Sequence, residues 1–188
     1  MPNESTTSAR SATHEIYEMV WLGLRFHQVQ RFDRSLEQFW SSLLRSRELG
    51  YRDLESLALN NIGMVYQSWG KFDHALKFYN ESLKLAESIR FVQGAVMSLN
   101  NTARLYEAWG RMDRAKEHYE RSLSMSEANG ELTSRRTTLL NMTMCLEKLG
   151  DFARCRKLLK EVVKIDQILQ HPRAGFDRAY LERMKSRP

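Results

Sequence analysis

Apolar and polar positions along this chain fall into two blocks that recur at a 40-residue offset, over residues 51–90, 91–130 and 131–170. In the first of these copies one block runs Leu59, Ile62, Gly63 and Tyr66, and the next runs Phe72, Ala75, Leu76, Tyr79 and Leu83. Both keep the spacing of a single helical face, so each copy predicts two amphipathic helices. A period of roughly 20 to 50 residues marks a repeat architecture, in which each unit buries its apolar face only against its neighbours.

Superposing the copies aligns the special positions as well as the apolar ones. Asn61, Asn101 and Asn141 coincide, as do Gly63, Ala103 and Thr143, then Tyr66, Tyr106 and Leu146, then Gly70, Gly110 and Gly150. The second helix aligns Ala75, Ala115 and Cys155, and Tyr79, Tyr119 and Leu159. Residues 13–50 hold a divergent copy that keeps Gly23, Phe26, Phe32, Ser35, Phe39 and Ser42. It carries Trp21 in place of the Asn and Gln30 in place of the turn Gly. Residues 171–186 predict one further, capping helix, whose stripe of Phe176, Ala179, Tyr180 and Met184 is expected to cover the last repeat. The expected turns fall near residues 30, 50, 70, 90, 110, 130, 150 and 171, where glycine is the residue best suited to a left-handed helix end. Asp33, Asp73 and Asp113 fall at the start of the following helices, where a carboxylate favours the exposed amides and the dipole. Small residues at Gly63 and Ala75 are expected to let paired helices approach closely.

These residues resemble the tetratricopeptide repeat (TPR) family. Its pattern is spelled by Leu59, Ile62, Gly63, Tyr66, Gly70, Ala75, Tyr79 and Ser82, and again by Leu99, Thr102, Ala103, Tyr106, Gly110, Ala115, Tyr119 and Ser122. The resemblance implies an all-α, TPR-like superhelical solenoid of antiparallel helix pairs, a single domain over residues 13–186. The repeat is longer than the usual 34 residues or so. That longer form is similar to the repeats of kinesin light chains, of spindle-orientation adaptors and of bacterial peptide-sensing regulators.

The rest of the chain narrows the function. Residues 1–12 are polar and lack a signal-peptide core, and are read as a disordered tail on a cytoplasmic protein. No apolar run approaches the length needed to cross a bilayer, so membrane insertion is not expected. Cys145 and Cys155 read as small packing residues, and the five histidines never reach ligand spacing with them, so no metal or other cofactor is expected. No phosphate loop, nucleophile elbow or paired carboxylate in an apolar context is present, and the chain does not read as an enzyme. The net charge is +6, and residues 171–188 hold five of the basic residues against two acids. Elsewhere bases interleave with acids, which disfavours nucleic acid as a partner.

The resemblance then points to the inner surface, which the family builds from the first helix of each pair. Carried over residue by residue, that surface comprises Tyr17, Trp21 and Leu24; Leu57, Asn60, Asn61 and Met64; Met97, Asn100, Asn101 and Arg104; and Asn141 and Met144. An amide offers donors and an acceptor together, so the ladder of Asn61, Asn101 and Asn141 is expected to hold a peptide backbone. The apolar end at Tyr17, Trp21 and Leu24 would choose the partner. The expected role is a protein-interaction module or scaffold for a peptide or helix. A self-assembling repeat, with the same surface as a homo-oligomer interface, and a regulatory module acting on a partner protein are the alternatives.

Overall fold

The computed structural model describes residues 4–187, with side chains from residue 12 onward. Among these residues it is all α-helix. The order is α1 (Glu4–Gln28), α2 (Phe32–Glu48), α3 (Arg52–Ser68), α4 (Phe72–Ser88), α5 (Val92–Ala108), α6 (Met112–Ala128), α7 (Leu132–Lys148), α8 (Phe152–Leu169) and α9 (Ala174–Lys185). The chain resolves into two compact units, Met1–Gly94 and Ala95–Pro188. A repeat touches only its neighbours, so contacts gather locally rather than around one centre.

Helix α1 begins at Glu4, and residues 1–3 of the expected tail lie outside the described residues. No glycine or proline interrupts residues 4–15. Once the packed part of α1 has nucleated, each further residue adds a hydrogen bond at little cost.

The turns keep the period regardless of residue type. Left-handed backbone recurs at Gln30 (φ 58°), Gly50 (72°), Gly70 (76°), Arg90 (58°), Gly110 (75°), Gly130 (68°), Gly150 (75°) and Gln170 (48°). The chain closes each end by the same long bond, for example the Lys71 amide to the Tyr66 carbonyl at 2.9 Å and the Phe91 amide to the Ala86 carbonyl at 2.8 Å. Arg90 therefore holds a conformation that costs an L residue roughly 1–2 kcal/mol. Glycine there would return part of that to the unfolded chain's entropy, so Arg90→Gly should stabilise by about 0.5–1 kcal/mol. In a thermal melt Arg90→Gly should rise and Gly110→Ala should fall, since a Cβ on Gly110 meets nothing within 4 Å and only the backbone resists it. Equal melting temperatures would overturn this reading.

The acidic residues after each turn lie at the helix starts as expected, without serving as caps. The N-cap positions are Arg31, Lys71 and Arg111, none with a side-chain cap bond, and Asp33, Asp73 and Asp113 sit inside the first turn. They favour the helix dipole rather than capping it. Asp151 is a true cap, accepting from the Arg154 amide at 3.1 Å.

In the first unit Phe39, Leu43, Ile62, Val65 and Phe78 form the core. Its close contacts rest on missing side chains: a Cβ on Gly23 would lie 2.6 Å from the Phe39 ring, and one on Gly63 would lie 2.7 Å from the Tyr79 ring. Ser56 and Ser82 stitch α3 to α4, each hydroxyl donating to the other's carbonyl at 3.1 and 2.7 Å.

In the second unit Tyr119, Met142, Cys145, Cys155, Leu159 and Met184 share a core. Both cysteines are free and buried, and Cys155 Sγ donates to the Thr143 carbonyl at 3.4 Å. Desolvation pushes the Cys145 thiol up to about 11, which leaves it protonated and inert at neutral pH.

The capping helix departs from its expected face. Leu181 and Met184 are buried and Tyr180 is half-buried, whereas Phe176 and Ala179, expected to cover the last repeat, are exposed. Helices α2 to α8 begin at 20-residue intervals, but α9 begins at Ala174, two residues late. The buried face is displaced by one residue, from Phe176 and Tyr180 to Asp177 and Leu181, about 100° around the helix. Arg136 of α7 fixes the new face by binding Asp166 of α8 and Asp177 of α9, all three buried.

Candidate functional site

Helical periodicity places Tyr17, Trp21 and Leu24 on one stripe of α1. All three face solvent, at 57%, 57% and 43% exposure. The Arg25 guanidinium lies 5.2 Å from the centre of the Trp21 ring. His27 Nε2 and Ser68 Oγ are 2.8 Å apart, which sets α1 beside α3 in the 40-residue register. Burial lowers the His27 pKa, so this bond joins a neutral imidazole to a hydroxyl. On α3, Leu57, Asn61 and Met64 are half-buried, with Met64 packed on the core of the first unit.

The second unit repeats the arrangement with α5 and α7. Lys148 Nζ donates to Glu107 Oε2 at 2.6 Å and aligns the two helices in the same register. Asn101 and Asn141 are half-buried at matching positions, Met97 is half-buried, Arg104 is exposed and Met144 is 54% exposed. Tyr119 Oη donates to Glu107 Oε1 at 2.6 Å, and the phenol's pKa is driven strongly upward by desolvation, reinforced by that carboxylate.

Two of the expected surface residues do not belong there. Asn60 and Asn100 are only 2% and 5% exposed. Asn100 Nδ2 donates to Thr138 Oγ1 at 2.9 Å, and that hydroxyl also lies 3.0 Å from Ser122 Oγ, so Asn100 ties helices together. A shift of one residue turns a helix by about 100°, enough to carry a side chain from the inner face to the interhelical seam.

Other contacts escaped the sequence reading although the spacing held a signal. Tyr79 Oη donates to Gln67 Oε1 at 2.7 Å, and Tyr119 to Glu107 keeps the same 12-residue separation. The fourth copy has Leu159 there, and Tyr180 of α9 donates to Glu147 instead. At the turns Lys71 Nζ lies 3.6 Å from the Trp69 ring centre, and Arg111 repeats this over Trp109 at 4.0 Å. Among the described residues no group of His, Cys, Asp or Glu is arranged to hold a metal ion. No helix there is long and apolar enough to cross a membrane.

Tetratricopeptide repeat models match residues 16–88 and 98–129. The chain belongs to the tetratricopeptide repeat family. Among solved structures it is similar to BtubC (BKLC) from P. vanneervenii, with TM-score 0.68 and 16% identity over 97% of this chain and 85% of that one. It is also similar to TPR-like repeats of a putative kinesin light chain of P. anserina, with TM-score 0.67 and 17% identity over 90% of this chain and 84% of that one. A third likeness is to a Rap protein complexed with competence and sporulation factor, with TM-score 0.60 and 19% identity over 90% of this chain but 52% of that one. At such identities the likeness is one of fold, an all-α repeat solenoid. No curated protein matches the chain. Membership in this family makes the TPR chain a repeat module of the protein-interaction type.

Proposed function

We propose that this TPR module holds a peptide or helical segment of a partner protein on the inner faces of its first helices. The observation that carries the proposal is the exposed Tyr17, Trp21 and Leu24 stripe of α1, a helix that His27 joins to Ser68 of α3. Large apolar side chains left in solvent on one stripe mark a surface that gains by being covered. The Rap protein whose fold resembles this one was solved with a bound factor, which supports the same reading. Asn61, Asn101 and Asn141 would bond the partner's backbone, and the reading places the module in the cytoplasm as an adaptor or scaffold.

Changing Asn61, Asn101 and Asn141 together to Ala should weaken partner binding, since each lost bond is worth roughly 0.5–1.5 kcal/mol. The check is affinity capture from a lysate with wild type and variant in parallel, alongside circular dichroism to show that both fold. Undiminished capture of every client would overturn the groove reading. Mass that then rises with concentration would favour the self-assembling alternative.

A further inference from the structure

We infer that the face of the second unit formed by α5, α7 and α9 takes an acidic amphipathic peptide, seating an apolar side chain against Met144 and Phe176 and a carboxylate against Arg104. This rests on the groove reading above and narrows it from peptides in general to anionic ones.

Phe176 is 73% exposed and Met144 is 54% exposed. Tyr180 stands one turn beyond Phe176, and Glu147 stands one turn beyond Met144. The Tyr180 phenol donates to Glu147, and Arg183 Nη2 lies 3.5 Å from the same carboxylate. These contacts bring the two stripes together, so the two exposed apolar side chains lie on neighbouring helices of one surface. The sequence placed Phe176 inward; the buried face of α9 runs through Asp177, Leu181 and Met184 instead and leaves it out.

The charge around that surface selects the partner's sign. Both carboxylates on it are already matched: Glu107 by Lys148 and Tyr119, and Glu147 by Arg183 and Tyr180. Arg104 is exposed, and among the described residues it makes no ion pair or hydrogen bond. A basic peptide would meet Arg104 with no local carboxylate to offset it. An acidic one would supply the missing partner, and rim charges of this kind set specificity and on-rate. One unmatched arginine beside two apolar side chains is too little charge for a polyphosphate backbone, which needs a run of cations.

The test is selection from a display library of random dodecapeptides on the full chain, on Arg104→Glu, on Phe176→Ser and on Trp21→Ala, with an unrelated helical repeat protein as background. Wild type should enrich peptides that place Asp or Glu near Leu, Phe or Trp. Arg104→Glu should lower the affinity of the best of these by about tenfold and turn the enrichment toward Lys and Arg. Phe176→Ser should reduce the apolar enrichment without changing its sign of charge. Neutral or basic peptides from wild type, or an acidic preference that survives Arg104→Glu, would overturn the inference and leave the groove reading standing. Acidic peptides released by Trp21→Ala but by neither of the other variants would do the same. No enrichment above background would bring down both.

Discussion

Arg136→Ala should release α9 from the second unit and cost about 3–5 kcal/mol, the penalty for leaving buried charge without its partner. Arg136 of α7 binds Asp166 of α8 and Asp177 of α9, and all three side chains are buried. His171 Nδ1 lies 3.8 Å from Asp166 Oδ1, at the edge of the cluster. Without the guanidinium, two neighbouring carboxylates would face each other out of water, and the cheapest escape is for α9 to swing away and hydrate Asp177. Urea unfolding should show the loss, and hydrogen exchange at Leu181 and Met184 should lose its protection. Replacing all three residues together by apolar ones of similar volume should be far milder, because the desolvation cost disappears with the charges. A loss under about 1 kcal/mol for Arg136→Ala, the worth of an exposed pair, would show that water already reaches the cluster.

The same cluster gives a pH dependence of definite sign. Desolvation raises the Asp177 pKa, the Arg136 charge opposes that rise, and the Asp166 charge reinforces it. A carboxyl whose folded pKa is raised stabilises the fold fully below its ordinary value. That contribution is lost as the pH climbs through the raised one. The second unit should therefore weaken between those two values, and Asp177→Asn should flatten that part of the profile.

The repeat was legible because helix pairs in such an array answer to local pattern. Apolar spacing fixed the helices, and the 40-residue period fixed the turns so firmly that Gln30 and Arg90 adopt the glycine conformation without being glycine. Gly63 and Ala75 read correctly as close-approach positions because small size has one meaning in a packed helix pair. The site was legible only in part. Tyr17, Trp21, Leu24 and Met144 lie open as a face-by-face reading requires, whereas Asn60 and Asn100 stand one residue from their neighbours and fall into the seam. Pattern alone resolves a helix face to about a quarter turn, and a single position is finer than that. Arg136 escaped for another reason: its partners lie on two other helices, and the rotation of α9 that brings Asp177 inward has no signature in the 40-residue alignment. A long-range ion pair is a tertiary fact, settled by how helices dock.

Phe39→Ala should cost about 3–5 kcal/mol, and putting the lost volume back on the opposite helix should recover part of it. Phe39 is fully buried on α2, and its ring occupies the space that a side chain at position 23 of α1 would need. The nearest three atoms to a Cβ on Gly23 all belong to that ring, at 2.6 to 2.9 Å. Gly23→Leu alone should therefore overpack and destabilise by roughly 1–3 kcal/mol. In the Phe39→Ala background the same leucine enters a vacated site, so the double variant should be more stable than the sum of the single losses predicts. Residues in contact couple by about 0.5–3 kcal/mol, which urea titration of the four proteins can measure. The Ser35 hydroxyl donates to the Gly23 carbonyl at 2.8 Å and should hold the backbone of α1 in place through the exchange. Strict additivity would mean that the Phe39 ring is not what keeps position 23 bare. The divergent first copy would then owe its glycine to backbone approach, as Gly63 in part does, with the Ala75 carbonyl 3.2 Å from its absent Cβ.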